Sequence, residues 1–243
     1  MKFDLISLFP EIFNALQYGI TGRAIKQHYI DLNFWNPRDF TTDKYQTVDD
    51  RPYGGGPGML MKVAPLRAAI KAAKQQSPTS KVIYLSPQGR PFKQQDANQL
   101  ALESGLILVS GRYEGIDQRV IECDIDQQYS IGDYVLSGGE IPAMVMIDSI
   151  TRLIPKVLGN QDSALQDSFM EGLLDCPHYT RPEEIEGMNV PEILLSGHHK
   201  KIKHWRLQQA LLQTLKERPD LLKERVLNEE EQNILTQAQN AQN

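Results

Sequence analysis

The sequence predicts an α/β domain with a largely parallel sheet, followed by a small all-helical C-terminal domain. Strand-like apolar runs alternate with helical patterns as far as residue 154, which is typical of parallel sheets covered by helices. Residues 155–169 are polar and lack periodicity, and the chain beyond them carries helical patterns. We therefore expect an α/β domain over 1–158, a flexible linker over 159–168 and a helical domain over 169–243.

The first part of the chain predicts two strands separated by two helices. The apolar run FDLISLF (3–9) is typical of a buried strand. Proline is tolerated in the first turn of a helix, so a helix is expected around 11–17. Thr21 is predicted to cap a second helix. Residues 31–35 (DLNFW) alternate in polarity, as a strand does.

Residues 36–61 predict a long loop that ends in the glycine-rich stretch DDRPYGGGPGML. Loops of this length are uncommon in compact domains and are usually functional. The later elements of the domain are predicted as a helix over 64–75, a strand over 81–85, a helix over 93–103, strands over 106–109 and 124–131, and an apolar helix over 140–153.

Composition limits the class of protein. With 40% hydrophobic and 23% charged residues among 243, the chain is typical of a globular protein. Cys123 and Cys176 make neither a disulfide framework nor a metal-site spacing, so we expect a reducing compartment and no metal. No apolar run approaches the ~18 residues that span a membrane, and no signal peptide is evident. We expect a cytoplasmic protein without a membrane partner.

Charge is distributed unevenly. The net charge of −5 argues against a wholly basic nucleic-acid binder. Residues 195–225, however, contain eight positively and three negatively charged residues, a local charge of +5. Such a segment could bind phosphates, although charge alone fits a solvated helix face equally well.

Three segments rich in small residues follow predicted strands: 86–89, 111–115 and 132–139. Ligands of open α/β sheets bind at such strand ends, and Tyr113 and Tyr134 would add flat apolar surface. The phosphate-binding patterns GxGxxG after the first strand and GxxxxGK[ST] are both missing, which argues against a Rossmann-type nucleotide enzyme. For any one of these segments alone, the geometry of a strand-to-helix turn is enough to explain its glycines without a ligand. Together they predict a pocket for an adenosine-like ligand that is bound mainly through backbone groups.

Five motifs carry a resemblance to a known family. They are RPYGGGPGM (51–59), YLSPQG (84–89), GRYEGID (111–117), SIGDYVLSGGE (130–140) and GLLDCPHYTRP (172–182). In this order they resemble the bacterial tRNA (guanine-N1)-methyltransferase family of the SPOUT methyltransferases. The resemblance implies a deep trefoil knot in the α/β domain, a topology that general rules for protein chains would exclude. It also implies a homodimer with active sites built from both subunits.

The resemblance further implies that the glycine-rich loops bind S-adenosyl-L-methionine in a bent shape. Glu114 is expected near the positively charged part of the cofactor or near the target base, unless it is a solvent-exposed loop carboxylate. The glycine pair before the apolar helix would form one wall of the site. The implied cofactor-binding residues are Tyr84, Leu85, Ser86, Pro87, Gly111, Tyr113, Glu114, Ser130, Ile131, Gly132, Tyr134, Val135, Leu136, Gly138, Gly139 and Pro142.

The implied reaction moves a methyl group to N1 of the guanine at tRNA position 37, next to the anticodon. N1 carries a proton, which a base must remove, and a cation would stabilise the negative charge that develops toward O6. By resemblance, Asp167 is the base and Arg152 the cation. From the residues alone, Asp167 could instead cap a helix, and Arg152 could pair with Asp148. His178 is the second candidate base.

Contacts with tRNA are expected in two parts of the chain. The basic C-terminal helices would bind phosphates, and the target base would leave its stack. Residues 50–58 could alternatively be a tight turn without a ligand. A non-catalytic RNA-binding protein with a relic cofactor pocket is the alternative function, against which the intact loops argue. The implied tRNA contacts are Asp50, Arg51, Tyr53, Asp175, His178, Lys200, Lys201, Lys203 and Arg206.

Overall fold

The computed structural model describes residues 1–159 and 167–242. The chain divides into two compact units, Met1–Gly159 and Asn160–Asn243. Most of the linker expected over 159–168 therefore lies outside the described residues.

The first unit is built on a five-stranded sheet in which every neighbouring pair is parallel. This arrangement confirms the predicted α/β fold with a parallel sheet, while the implied knot stays a prediction. The order across the sheet is β2-β1-β6-β5-β7. Its strands are β1 (Lys2–Ile6), β2 (Asp31–Trp35), β5 (Lys81–Pro91), β6 (Gly105–Ser110) and β7 (Gln127–Ser130).

Helices cover both faces of this sheet, and a two-stranded pair, β3 (Asp49–Asp50) with β4 (Leu60–Met61), lies within the predicted long loop. In chain order the helices are a 3₁₀ helix (Pro10–Gln17), α1 (Gly19–Lys26), a second 3₁₀ helix (Pro37–Phe40), α2 (Val63–Gln76), α3 (Gln94–Leu100), α4 (Gln118–Asp124) and α5 (Glu140–Thr151).

The core forms one apolar layer on each face of the sheet. Along β6, Leu106 and Leu108 pack into one layer and Ile107 and Val109 into the other, and all four side chains are fully buried. This follows from the two-residue period of a strand. A strand buried on both faces appears in the sequence as an unbroken apolar run.

Two local predictions for this unit need correction. Thr21 does not cap α1, which begins at Gly19; its hydroxyl instead donates to the Leu16 carbonyl at 2.9 Å. Helix α4 is also not predicted from the sequence, because it buries one residue, Val120, and so lacks a clear apolar stripe. The Asp117 carboxylate caps α4 by accepting a hydrogen bond from the Arg119 N–H at 2.9 Å.

The second unit is mainly helical and has a small core of its own around Leu173, Leu211, Ile234 and Leu235. It also contains a short antiparallel pair, β8 (Glu184–Ile185) with β9 (Met188–Asn189), which the sequence analysis did not predict. Its helices are α6 (Glu192–Leu195), α7 (His199–Glu217), α8 (Pro219–Glu224) and α9 (Glu229–Gln242). Across the two described ranges, none of the helices is both long and apolar enough to span a membrane.

Candidate functional site

A cavity of about 500 Å³ opens where β5, β6 and β7 end their parallel pairing. Its walls are formed mainly by three stretches of chain, 84–88, 111–116 and 129–139 without Asp133, together with Pro142 of α5. All sixteen residues expected to bind the cofactor line this cavity. The structure therefore brings together three loops that the sequence placed at separate strand ends.

The cavity is nearly neutral. Of the residues that line it within the described chain, two carry charge at neutral pH, Arg112 and Glu114. Tyr113 and Tyr134 are about half exposed and offer aromatic surface. Burial raises the pKa of the Tyr84 hydroxyl, which therefore stays protonated at neutral pH. A ligand with a large uncharged ring system suits such a surface better than one with several phosphates.

The glycine pair before α5 is explained by close packing between two walls of the cavity. A Cβ on Gly139 would lie 2.7 Å from the Ser110 Cα, and one on Gly138 would lie 2.3 Å from the Arg112 Nε. The Gly139 N–H donates to the Gly111 carbonyl at 3.0 Å. The resemblance implies that these glycines form one wall of the cofactor site. The protein itself fills the space beside both Cα atoms, although both residues still line the cavity.

A buried ion pair holds the cavity walls in place. Glu140, 1% exposed, accepts from the Ser7 hydroxyl at 2.8 Å and from the Arg112 Nε at 3.1 Å. A second Arg112 nitrogen lies 3.0 Å from the other Glu140 oxygen, and a third donates to the Ser137 carbonyl at 3.2 Å. The loops that follow β1, β6 and β7 are thereby joined at one carboxylate.

The glycine-rich loop of the first motif runs along the wall that contains Glu114. The Glu114 N–H donates to the Met59 carbonyl at 2.9 Å, and a Cβ on Gly58 would lie 2.4 Å from the Glu114 Cγ. Earlier in the loop, Tyr53 is fully exposed, while Asp50 and Arg51 precede it. The implied tRNA contacts of this loop are thus close in the chain to the cavity wall, and their role stays a prediction.

Helix α5 leads from the cavity to Arg152. The Arg152 N–H donates to the Asp148 carbonyl at 3.2 Å, which ends the helix. On its outer side, Ile141 is 49% and Val145 is 40% exposed. These two residues are four positions apart and so lie on one face of the helix. They form a short exposed apolar stripe on a helix whose other apolar residues are buried or half-buried.

Asp167 begins a turn in the second unit. Its carbonyl accepts from the Met170 N–H at 3.3 Å, and the hydroxyl of the next residue, Ser168, accepts from the Asp175 N–H at 2.9 Å. Residues 167–176 contain no helix. The alternative interpretation of Asp167 as a helix cap is therefore wrong.

Further along this unit, Asp175, Cys176 and His178 lie together, with their potential ligand atoms within 4.8 Å of one another. The His178 ring lies 2.8 Å from the Asp175 carboxylate. Burial opposes ionisation of Asp175, but the His178 ring and the Cys176 N–H outweigh it and hold its pKa below the ordinary value. The implied phosphate contacts Lys200, Lys201, Lys203 and Arg206 are all exposed on α7.

Comparison with known proteins identifies the family. The sequence model of the family described as tRNA (Guanine-1)-methyltransferase TrmD matches residues 1–224. The chain belongs to this family. Two tRNA (guanine-N(1)-)-methyltransferases are similar to it over nearly their whole length. The protein from Marinomonas sp. (strain MWYL1) is 59% identical over 236 residues, covering 97% of this chain and 94% of that protein. The protein from Shewanella baltica (strain OS155) is 59% identical over 245 residues, covering 100% of this chain and 99% of that protein.

For this member of the tRNA (guanine-1)-methyltransferase family, two residues that shape the site were not predicted from the sequence. Arg112 and Glu140 both belong to quoted motifs, yet neither was assigned a role. The available signal was a glutamate at the start of an apolar helix, where a buried carboxylate needs a partner. The identity of that partner could not be predicted, because Arg112 lies 28 positions away along the chain.

Proposed function

We propose that the protein transfers a methyl group from S-adenosyl-L-methionine to N1 of the guanine at tRNA position 37. The observation that carries this proposal is the cavity at the ends of β5, β6 and β7, which is lined by all three glycine-rich loops. The relatives described above are named as tRNA (guanine-N(1)-)-methyltransferases, and this chain matches them over nearly its whole length.

The residues of the cavity fit the proposed cofactor. The half-exposed rings of Tyr113 and Tyr134 suit an adenine base, and the main chain of residues 131–139 offers hydrogen-bonding groups to it. When bound, S-adenosyl-L-methionine would supply an activated methyl group on a positively charged sulfur. Glu114 would favour positive charge at the cavity wall. The ion pair between Arg112 and Glu140 would keep the walls at the separation that the cofactor requires.

Two residues outside the cavity are proposed to act on the guanine. The Asp167 carboxylate would accept the proton of N1, so that the nitrogen lone pair can attack the methyl carbon. The Arg152 guanidinium would stabilise the negative charge that develops toward O6. The assignment of both residues rests on the resemblance of the chain to the family whose sequence model matches residues 1–224.

Different parts of the chain are proposed to bind the cofactor and the tRNA. Residues 1–158 would bind the cofactor, 159–168 would connect the parts, and 169–243 would bind tRNA, with the exposed basic residues of α7 on its phosphates. The exposed stripe of Ile141 and Val145 on α5 supports a homodimer, with active sites at the subunit interface. Because tRNA is the substrate, the reaction is expected in the cytoplasm.

One assay separates this function from non-catalytic RNA binding. The protein is incubated with S-adenosyl-L-methionine labelled in its methyl group and with tRNA transcripts that carry guanine or adenine at position 37. We expect label to enter the guanine transcript and not the adenine transcript. Binding of both transcripts without transfer of label would instead favour the RNA-binding alternative.

A further inference from the structure

Residues 167–174 form a compact turn, the anchored turn, which begins with the proposed base. Within it, the Phe169 N–H donates to the Leu173 carbonyl at 2.7 Å. Phe169 has φ = +73° and Gly172 has φ = +78°. A left-handed conformation costs a residue with a side chain about 1–2 kcal/mol. Phe169 therefore keeps this shape only because surrounding groups fix it.

Helix α7 fixes one side of the anchored turn. The Leu174 N–H donates to the Thr214 hydroxyl at 2.9 Å, and Thr214 is itself fully buried. Beside it, Leu173 packs against the fully buried Leu211. The end of the turn is thus held by one hydrogen bond and by the apolar core of its own unit. Neither contact reaches the part of the turn nearer to Asp167.

Arg225 supplies a contact in the middle of the turn. Its Nη1 donates to the main-chain carbonyl of Glu171. Its Nη2 donates to the Glu231 carboxylate at 2.6 Å. That carboxylate also accepts from the Asn228 N–H at 3.0 Å, while the Asn228 side chain accepts from the Glu231 N–H at 3.0 Å. The guanidinium is therefore tied to the capped start of α9.

Glu231 is suited to hold an arginine in one place. Its side chain is 3% exposed, and that of Arg225 is 22% exposed. Burial alone would raise the pKa of Glu231, but Arg225 and the Asn228 N–H outweigh it, so the pKa lies below the ordinary value. Glu231 therefore stays charged at neutral pH. A buried, hydrogen-bonded ion pair has little freedom, which is what a support for a reacting group requires.

We infer that Arg225 is a positioning residue for Asp167, acting through its hydrogen bond to the Glu171 carbonyl and held in place by buried Glu231. The inference rests on the proposed function, since it needs Asp167 to be the base. Without the Arg225 contact, the anchored turn would sample other shapes, and the carboxylate would be within reach of the guanine proton for less of the time. Small displacements of a reacting group cost up to ~10²-fold in rate.

The test compares single-turnover methyl transfer at saturating cofactor and tRNA. For Arg225→Ala we expect a rate loss of about 10- to 100-fold, with the KM for tRNA changed by less than about two-fold. Added guanidinium ion should restore part of the rate, and Arg225→Lys should retain more of it than Arg225→Ala. Leu222→Ala is the matched control, because Leu222 packs against the same small core. It should lower the unfolding temperature and leave the rate intact.

The inference is overturned by an unchanged rate in Arg225→Ala, by an equal rate loss in Leu222→Ala, or by a raised KM with a normal rate. Circular dichroism checks that each variant is folded. Asp167→Asn tests the proposed base separately. If that variant turns over normally, the assignment of Asp167 fails, and the inference fails with it. If it is inactive while Arg225→Ala is normal, the inference alone is wrong.

Discussion

At the scale of single residues, the cavity depends on a carboxylate that does not face the proposed ligand. Glu140 is almost fully buried and is neutralised by Arg112, whose side chain is 18% exposed. A buried ion pair adds little stability compared with apolar side chains in the same place. Loss of one partner, however, leaves the other as a buried charge without an opposite charge beside it, which is strongly destabilising. The main role of the pair is therefore to hold three loops together. Removing one partner should let the cavity wall open.

Glu140→Gln tests this role of the pair. The amide keeps the shape of the side chain but leaves Arg112 without an opposite charge. We expect the Kd for S-adenosyl-L-methionine to rise by about ten-fold, which corresponds to about 1.4 kcal/mol, because the walls no longer keep their spacing. Calorimetric titration measures it. Glu122→Gln on the exposed side of α4 is the control and should bind normally. An unchanged Kd in Glu140→Gln would show that the pair does not shape the cavity.

At the scale of secondary-structure elements, the start of α5 is set by packing against the end of β6. The Gly139 N–H bonds to the carbonyl of Gly111, and no Cβ fits at Gly139 without displacing the backbone of Ser110. The element therefore meets the sheet at a distance that only glycine permits. This close approach also places Pro142, in the first turn of the helix, in the wall of the cavity.

Gly139→Ala should lower the unfolding temperature of the protein by several degrees, since overpacking costs about 1–3 kcal/mol. It should also weaken cofactor binding, because relief of the clash moves one wall of the cavity. Gly159→Ala is the matched control, as a Cβ there meets no atom of the described residues within 4 Å. Differential scanning calorimetry compares the two. Equal unfolding temperatures would mean that the approach of α5 to β6 is looser than described.

Some secondary-structure elements could be predicted from the sequence, and others could not. The unbroken apolar run of β6 predicted a buried strand, because both of its faces pack into core layers. The cap of α9 follows from a local preference, since asparagine favours the position before a helix, and the Asn228 side chain accepts from the Glu231 N–H at 3.0 Å. Helix α4 was missed, since a helix with one buried residue leaves no periodic signal. The contact from Ser7 to Glu140 spans 133 positions, and no local pattern encodes such a pair.

At the scale of the whole molecule, the exposed stripe on α5 is the feature that bears on the proposed dimer. Ile141 and Val145 remain 49% and 40% exposed on the helix that borders the cavity. Large contiguous apolar surfaces often mark sites of interaction with a partner. A second copy of the chain is the proposed partner. The motifs implied this dimer by resemblance, whereas composition and periodicity did not suggest it.

Val145→Glu tests the proposed dimer, because it places a charge in the stripe while the side chain stays partly exposed within its own subunit. Light scattering should give a mass near 27.6 kDa for the variant and about twice that for the wild type. Methyl transfer should be lost with the dimer. Lys71→Glu on the exposed side of α2 should change neither property. A monomeric wild type, or a dimeric variant, would contradict the proposed interface.

The central claim concerns which atom receives the methyl group, and nucleoside analysis of the modified tRNA measures it directly. A transcript with guanine at position 37 is incubated with the protein and S-adenosyl-L-methionine, digested, and analysed by mass spectrometry against methylguanosine standards. The proposed function predicts N1-methylguanosine, located at position 37 by fragment mapping, and none with Asp167→Asn. A methyl group on another atom or at another position, or an unmodified transcript that nevertheless binds, would contradict the account.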